Sequence, residues 1–276
     1  MTDSDCAAFL QWALPRLQMR WPGFRKVRHT VCKRIDARLK ALGLADVAAY
    51  RLHLGAAADE WRILDGLCSI PISRFYRDRA VFDFLAENVL PELARRAAGH
   101  QEHELHVWSC GCAAGEEPYT LTIIWKLRVQ ATSAPPVRLR IVATDTDGTA
   151  LARARTASYG WSSVKDLPTD WRERAFARRG DEYCLRPEFG RDVEFLNQDV
   201  RTALPETAFH LILCRNLVFT YFDEPLQRRT LERILTRLVL DGALVIGKGE
   251  SLPAGATPCE PWSAKLGIYR QATRAV

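Results

Sequence analysis

The chain has 276 residues, of which 47% are hydrophobic and 26% charged, as in an ordinary globular protein of one large or two modest domains. The N-terminus is polar and acidic, unlike a secretion signal, and no apolar run approaches the length of a membrane span. These features argue against membrane insertion and predict a cytoplasmic protein. The formal net charge of +6 permits an acidic partner but does not identify it.

Eight cysteines are scattered along the chain, and only Cys110 and Cys112 are close together. A zinc site would need a second pair or a histidine cluster, and the sequence offers neither at suitable spacing. We therefore predict that the cysteines are reduced structural thiols and that the protein holds no metal.

The first part of the chain, from Phe9 to about Leu54, has a helical pattern. Its longest helix is predicted to end at Gly43, because glycine is common just after the last helical residue. Apolar residues recur at helical spacing and are expected to face a core: Val27, Val31, Ile35, Leu39 and Leu42. The opposite side carries Lys26, Lys33 and Lys40, with Arg34 and Arg38 nearby. Such a basic side is either a solvated face or a docking surface for an acidic protein helix or nucleic acid.

A connector follows a second helical stretch at residues 47–54. Pro71 and Ser73 break the helical period, and the segment carries Ser73, Tyr76 and Arg77 just before an amphipathic helix predicted at residues 81–96. An arginine beside aromatic residues is typical of a surface contact, but a ligand site is equally consistent with its position at a domain boundary.

From Glu104 onward strands and helices alternate, which predicts a parallel sheet with helices on both faces. A strand at 104–108 leads through a small-residue turn, residues 111–115, into a helix at 118–128. Backbone N–H groups can approach a ligand closely in this layout. Glu116 and Glu117 suit a ligand with hydroxyls or a cation, such as the ribose and sulfonium of S-adenosylmethionine, or they complement the helix dipole.

Polar residues follow each of the next predicted strands. After a loop at 132–136, the strand at 137–143 ends near Asp145, where nucleotide-binding sheets hold ribose hydroxyls, and Asp147 is expected to cap the helix at 149–156. Asp199 follows the strand at 193–196 and either binds an adenine or caps a loop. Arg215 and Asn216 follow the strand at 209–214, at the carboxyl edge of the sheet.

The remaining elements frame these motifs. Residues 157–192 are rich in turns and predict an insertion or cover over the sheet, with a β-hairpin at about 180–191. A helix at 224–238, a strand at 243–247 and a final strand or hairpin at 262–270 complete the chain.

Taken together, these motifs resemble the CheR family of chemoreceptor glutamate methyltransferases. The matching segments are Ser73–Arg77, Trp108–Tyr119, Ala143–Asp147, Cys214–Asn216 with Tyr221–Asp223, and Gly247-x-x-Glu250. They occur in the family's order and at similar spacings, over nearly the whole chain.

The resemblance implies an α/β fold with a Rossmann-like class I methyltransferase sheet, a small N-terminal all-helical domain at 1–78, and a methyltransferase domain at 79–276. It implies S-adenosylmethionine as cofactor. The predicted cofactor-binding residues are Ser73, Arg77, Gly111, Glu116, Glu117, Asp145, Asp199, Val200, Arg215 and Asn216. Arg77 and Tyr221 are expected nearest the transferred methyl group, as the catalytic residues.

The resemblance also implies an acceptor, a protein glutamate on a receptor-like acidic helix that docks on the basic N-terminal helix of a monomer. Pro71 and the Lys248-Gly249 pair depart from the family's usual asparagine and histidine-serine, and so leave other acceptors open. The alternatives are a small-molecule carboxylate or another acceptor outside chemotaxis, and a non-catalytic regulator that binds the cofactor. Asn216-Leu-Val-Phe219 differs from the Asn/Asp-Pro-Pro-aromatic run of base N-methyltransferases, so nucleic acid is not expected as a partner.

Overall fold

The computed structural model describes residues 1–130, 137–255 and 259–272, so the predicted loop at 132–136 lies outside the described residues. The chain forms two compact units. The first comprises Met1–Pro71 with Thr220–Gln227, and the second comprises Ile72–Phe219 with Arg228–Val276. This division falls earlier than the expected boundary after residue 78, and the assignment of separate domains stays a prediction.

The first unit is helical. Its helices are α1 (Asp3–Ala13), α2 (Trp21–Phe24), α3 (Arg28–Leu42), α4 (Val47–Ala56) and α5 (Ala58–Leu67). Thr2 begins α1 with a capping box that includes Asp5. The predicted core face of α3 is confirmed, because Val31, Ile35 and Leu39 are buried. Gly43 ends this helix in the left-handed conformation, as its sequence position predicts.

The structure corrects the prediction that every cysteine is reduced. Cys6 of α1 and Cys32 of α3 form a disulfide, with their Cα atoms 5.9 Å apart. Helices α1 and α3 pack against each other, and this proximity between distant segments cannot be read from cysteine spacing. The free thiols among the described residues are Cys68, Cys110, Cys112, Cys184, Cys214 and Cys259.

Seven of the α-helices in the described residues lie wholly within the second unit. They are α6 (Arg79–Phe84), α7 (Leu90–Gly99), α8 (Glu116–Ile124), α9 (Gly148–Thr156), α10 (Trp161–Val164), α11 (Thr169–Ala175) and α12 (Pro187–Gly190). The helix predicted at 81–96 is interrupted by a π-helical turn at Leu85–Val89, and α8 continues into a similar turn at Trp125–Val129. Two further helices, α13 (Val218–Tyr221) and α14 (Glu224–Leu235), include residues of both units.

A seven-stranded sheet forms the centre of the second unit, which confirms the predicted α/β fold. Its strands are β1 (Glu104–Cys110), β2 (Arg138–Asp145), β6 (Val193–Asn197), β7 (Phe209–Cys214), β8 (Leu238–Ile246), β9 (Cys259–Ser263) and β10 (Ile268–Gln271). They lie in the order β6-β2-β1-β7-β8-β10-β9. Neighbours from β6 to β8 pair in parallel, and β10 and β9 add an antiparallel edge. All six residues of β7 are buried, as expected for a strand with both faces covered.

The predicted β insertion is a separate antiparallel sheet in the order β3-β5-β4. Its strands are β3 (Ser158–Gly160), β4 (Phe176–Arg179) and β5 (Glu182–Leu185). The hairpin therefore turns at Gly180, and residues 187–190 form α12 instead of its second strand, because Pro187 at the first helical position favours a helix start. Along the described residues, each helix is too short or too polar to cross a membrane.

Candidate functional site

The predicted site residues of the second unit gather at the carboxyl ends of β1, β2, β6 and β7. Strand β2 lies on one side of β1 and β7 on the other, so the strand order reverses at β1. In open α/β sheets ligands bind at such a reversal, outside the carboxyl ends of the strands.

The turn between β1 and α8, residues 111–115, contributes backbone groups to this edge of the sheet. Gly111, Ala113 and Gly115 all have positive φ values, of 79°, 48° and 88°. The N–H groups of Gly111 and Cys112 both donate to the Thr144 carbonyl oxygen, at 2.8 and 3.0 Å. A Cβ atom at Gly115 would lie 3.0 Å from that of Ala154, so this position needs glycine for space as well as conformation. The turn therefore brings α8 close to the ends of β1 and β2.

Asp145 ends β2 and faces this turn. Its Oδ2 accepts the Ala113 N–H at 2.8 Å, and its Oδ1 accepts the Asp147 N–H at 2.9 Å. Burial raises the pKa of the Asp145 carboxyl above its ordinary value. Asp147 caps α9 through the N–H groups of Thr149 and Ala150, as predicted. The backbone thus fixes the orientation of the Asp145 carboxylate, and each oxygen retains a lone pair for a ligand.

Glu116 begins α8, and the residue is only 3% exposed. Its Oε2 atom has no hydrogen-bond partner in the described part of the chain. Burial raises the pKa of this carboxyl, while hydrogen bonds from Ser73 and Ser163 act in the opposite direction. The structure therefore brings the predicted Ser73 and Glu116 together around a buried acceptor that is not satisfied by protein.

Glu117 and Arg215 are joined in a buried ion pair. The Arg215 Nη1 donates to Glu117 Oε2 at 3.0 Å, and the Ser109 hydroxyl donates to Glu117 Oε1 at 2.8 Å. The Arg215 side chain is 3% exposed, and its Nη2 also donates to the carbonyl oxygen of Arg77. The Arg77 side chain donates in turn to the Ile72 carbonyl at 3.0 Å. Arg215 therefore acts as a buried tie between segments of the site.

Asn216 has a positive φ of 56° and is held by a residue outside the predicted list. Glu250 Oε2 accepts the Asn216 N–H at 3.1 Å and also accepts the Gly247 N–H. A Cβ atom at Gly247 would lie 2.5 Å from Asn216 Nδ2 and 2.6 Å from Glu250 Oε2, so only glycine permits this contact. The Gly247-x-x-Glu250 spacing was the available sequence signal for Glu250.

At the edge near β6, the contacts of Asp199 match the loop cap, one of its two predicted roles. The Asp199 carboxylate is engaged by Arg201, which donates from its backbone N–H at 2.8 Å and from its guanidinium at 2.7 Å. Val200 is buried, and its carbonyl oxygen accepts from Arg233. The adjacent Gln198 presents an Oε1 atom that is buried and lacks a hydrogen-bond partner among the described residues. Its position directly after β6 was the only sequence signal for it.

Tyr221 belongs to the first unit, whereas Arg77 belongs to the second. The Tyr221 ring packs on Phe24, with 4.9 Å between the ring centroids, and its carbonyl oxygen accepts the Arg20 N–H at 2.8 Å. The expected catalytic role of Tyr221 stays a prediction.

The sheet edge of the second unit is thus rich in acceptors. Asp145, Glu116 Oε2 and Gln198 Oε1 can accept from hydroxyl, amino or ammonium groups, and the carboxylates oppose a phosphate. Within residues 1–130, 137–255 and 259–272 no group of three or more His, Cys, Asp or Glu side chains is arranged to hold a metal ion. This set of acceptors suits a cationic ligand that carries hydroxyls.

Comparisons with known proteins agree with this chemistry. The family profile described as "CheR methyltransferase, SAM binding domain" matches residues 72–266. The chemotaxis protein methyltransferase of Listeria innocua is 33% identical over 67% of each chain. That of Salmonella typhimurium is 32% identical over 81% of this chain and 76% of its own.

An uncharacterised 104.1 kDa protein of Rhodobacter capsulatus is 33% identical over 81% of this chain, but the match spans only 23% of that protein. The structure of the N-methyltransferase NodS from Bradyrhizobium japonicum matches at 15% identity and a TM-score of 0.30, over 58% of this chain and 61% of that one. A similarity of that size supports no argument about fold or function. The family profile and the chemotaxis relatives suffice: the chain belongs to the CheR family of S-adenosylmethionine-dependent methyltransferases.

Proposed function

We propose that the chain transfers the methyl group of S-adenosylmethionine to the side-chain carboxylate of a protein glutamate, on a chemoreceptor-like partner. The observation that carries this proposal is the acceptor-rich sheet edge, with its unsatisfied Glu116 Oε2. Two relatives that cover most of this chain are named chemotaxis protein methyltransferase, which supports the choice of acceptor.

The residues of the edge suit the cofactor. Asp145 would accept from the ribose hydroxyls, since its two oxygens are oriented by backbone N–H groups at 2.8 and 2.9 Å. Glu116 would accept from the amino group, which would satisfy its buried Oε2. Gln198 directly follows β6, and its buried Oε1 would accept a hydrogen bond from the adenine amino group. Asp199, Val200, Arg215 and Asn216 would frame the same edge.

When bound, the cofactor supplies an electrophilic methyl group on a sulfonium. A glutamate side chain is already ionised at neutral pH, its reference pKa being about 4.3, so the protein does not need a general base. Its residues would align the two reactants and exclude water. Arg77 would orient a carboxylate, either that of the acceptor or that of the cofactor, and Tyr221 would position the accepting oxygen.

The acceptor protein would dock on the exposed side of α3. Lys33 and Lys40 of α3 are exposed, and so is Lys26 in the turn that precedes the helix. Arg34 and Arg38 are committed to the first unit itself: Arg34 donates to the Leu67 carbonyl, and Arg38 donates to the buried Glu60 carboxylate at 2.9 and 2.7 Å. Lys40 pairs with Asp36 one helical turn away at 2.9 Å. Lys26 and Lys33 are therefore the lysines that we propose meet an acidic helix. The monomeric state and the cytoplasmic location stay predictions.

Methyl-labelled S-adenosylmethionine, incubated with the purified chain and a lysate of the source organism, tests the proposal. We expect label in protein that mild base releases as methanol, because an ester hydrolyses under these conditions. Base-stable label would indicate N-methylation and contradict the proposal. Label found only in small molecules would indicate that the acceptor is a small-molecule carboxylate. Cofactor binding without any transfer would indicate a regulator.

A further inference from the structure

Asp78 is a helix-start aspartate whose side chain does not cap its helix. It stands at the N-cap position of α6, where an aspartate side chain normally accepts a backbone N–H of the first turn, yet it makes no such bond. Its backbone is left-handed, with φ 60°, and Tyr76 two residues earlier has φ 58°. A non-glycine residue in this region is uncommon, and two of them flank Arg77.

The Asp78 carboxylate is directed instead to Arg215. Its Oδ2 accepts from Arg215 Nη2 at 2.7 Å, and the same nitrogen donates to the Arg77 carbonyl oxygen at 3.1 Å. The guanidinium carbon also lies 5.1 Å from the centroid of the Phe82 ring. Arg215 Nη2 therefore bonds both the Arg77 carbonyl oxygen and the side chain of the next residue, Asp78.

The negative charge of Asp78 helps to neutralise the buried Arg215 guanidinium. Arg215 is 3% exposed, and the two carboxylates that neutralise it belong to Asp78 and Glu117. Without the Asp78 charge, Arg215 would be drawn toward Glu117, which keeps the Ser109 hydroxyl as a second anchor. The connector would then be held to Arg215 mainly through the Arg77 carbonyl oxygen. The segment that is held less firmly is therefore the one that carries Arg77.

We propose that Asp78 is a positioning residue of the cofactor site, which acts through Arg215 to hold Arg77 in its working orientation. This inference rests on the proposed role of Arg77. Asp78 need not touch the cofactor, because its effect passes through the Arg215 guanidinium and the Arg77 backbone.

The test measures the dissociation constant of S-adenosylmethionine by calorimetry on the full chain. Asp78→Asn keeps the size of the side chain, its capping ability and its tolerance of positive φ, and removes only the charge. We expect affinity to fall about tenfold. Asp166→Asn is the matched control, because Asp166 holds Arg74 on the same connector in an exposed pair of 3.0 Å. That change should alter affinity less than about twofold.

A double-mutant cycle with Arg77→Ala separates positioning from general loosening of the fold. If Asp78 acts through Arg77, adding Asp78→Asn to Arg77→Ala should cause no further loss of affinity. An equal loss in both backgrounds, or wild-type affinity in Asp78→Asn, would overturn the inference. If the wild-type chain does not bind S-adenosylmethionine, the proposed cofactor site is wrong. Binding by the wild type without methyl transfer would contradict only the proposed reaction.

Discussion

The Glu116 side chain is proposed to bind the cofactor, but its burial destabilises the ligand-free fold. Its carboxyl is buried at the start of α8 and has an unsatisfied oxygen within the described structure. Because burial raises its pKa, the native chain holds this proton to a higher pH than the unfolded chain does. The free energy of unfolding therefore falls as pH rises from the ordinary value of 4.5 through the native pKa.

We predict that Glu116→Gln raises the melting temperature of the ligand-free chain at pH 7 by about 2 °C or more, with little gain near pH 4. Affinity for S-adenosylmethionine should fall about tenfold, because a hydrogen bond to a charged acceptor is lost. Calorimetry across this pH range, with the exposed Glu173→Gln as control, checks both effects. A stability difference that does not change with pH would contradict this account.

Arg77 and Tyr221 are predicted to matter for transfer and little for the fold. Arg77→Ala removes a half-buried side chain, and Tyr221→Phe keeps the ring that packs on Phe24. Each should lower the rate of methyl transfer at least about tenfold, since alignment of reactants is worth several kcal/mol. Initial rates and melting curves measure the two effects separately.

Arg74→Ala serves as the control for these variants, because Arg74 lies on the same connector but is half exposed and pairs only with the exposed Asp166 among the described residues. Its effect on the rate should be small. Normal turnover in both Arg77→Ala and Tyr221→Phe would rule out the roles assigned to them.

At the scale of the element, α3 has a buried packing face and an exposed face on which we propose that the acceptor protein docks. Lys33 is exposed, so Lys33→Glu should weaken methylation of a protein acceptor about fivefold at low salt, and less at high salt, because exposed charges are screened. Affinity for the cofactor should not change. The measurement is protein labelling in lysate at two salt concentrations.

Lys165→Glu makes the same charge change at an exposed position of the second unit. It should leave labelling nearly unchanged. An equal loss in the two variants, or none in Lys33→Glu, would contradict docking on α3.

Local patterns predicted most of the elements. Strand β7 was predicted to the residue, because a continuous apolar run is followed at once by Arg215 and Asn216. The Asp147 cap and the Gly43 helix end were also predicted, since each depends on neighbours a few residues away. The π-helical turn at Leu85–Val89 was missed, because it preserves an apolar face while changing the hydrogen-bond spacing.

At the scale of the molecule, the features that could not be predicted from the sequence are those that join distant segments. The Cys6–Cys32 disulfide, the grouping of Thr220–Gln227 with the first unit, and the tie from Arg215 to Asp78 all depend on tertiary packing. That the candidate residues would lie close together was predictable, because the strand ends of a parallel sheet meet at one edge. Which side chains there face a ligand, and which hold one another, was not.

The central claim is that a protein glutamate accepts the methyl group. Tandem mass spectrometry of the labelled acceptor protein tests it most directly. We predict a mass increase of one methylene unit on a glutamate side chain, which is lost after mild base. The increase should form at least about tenfold more slowly when Arg77→Ala replaces the wild-type enzyme. A base-stable increase on a lysine, arginine or other nitrogen-bearing side chain would contradict the account.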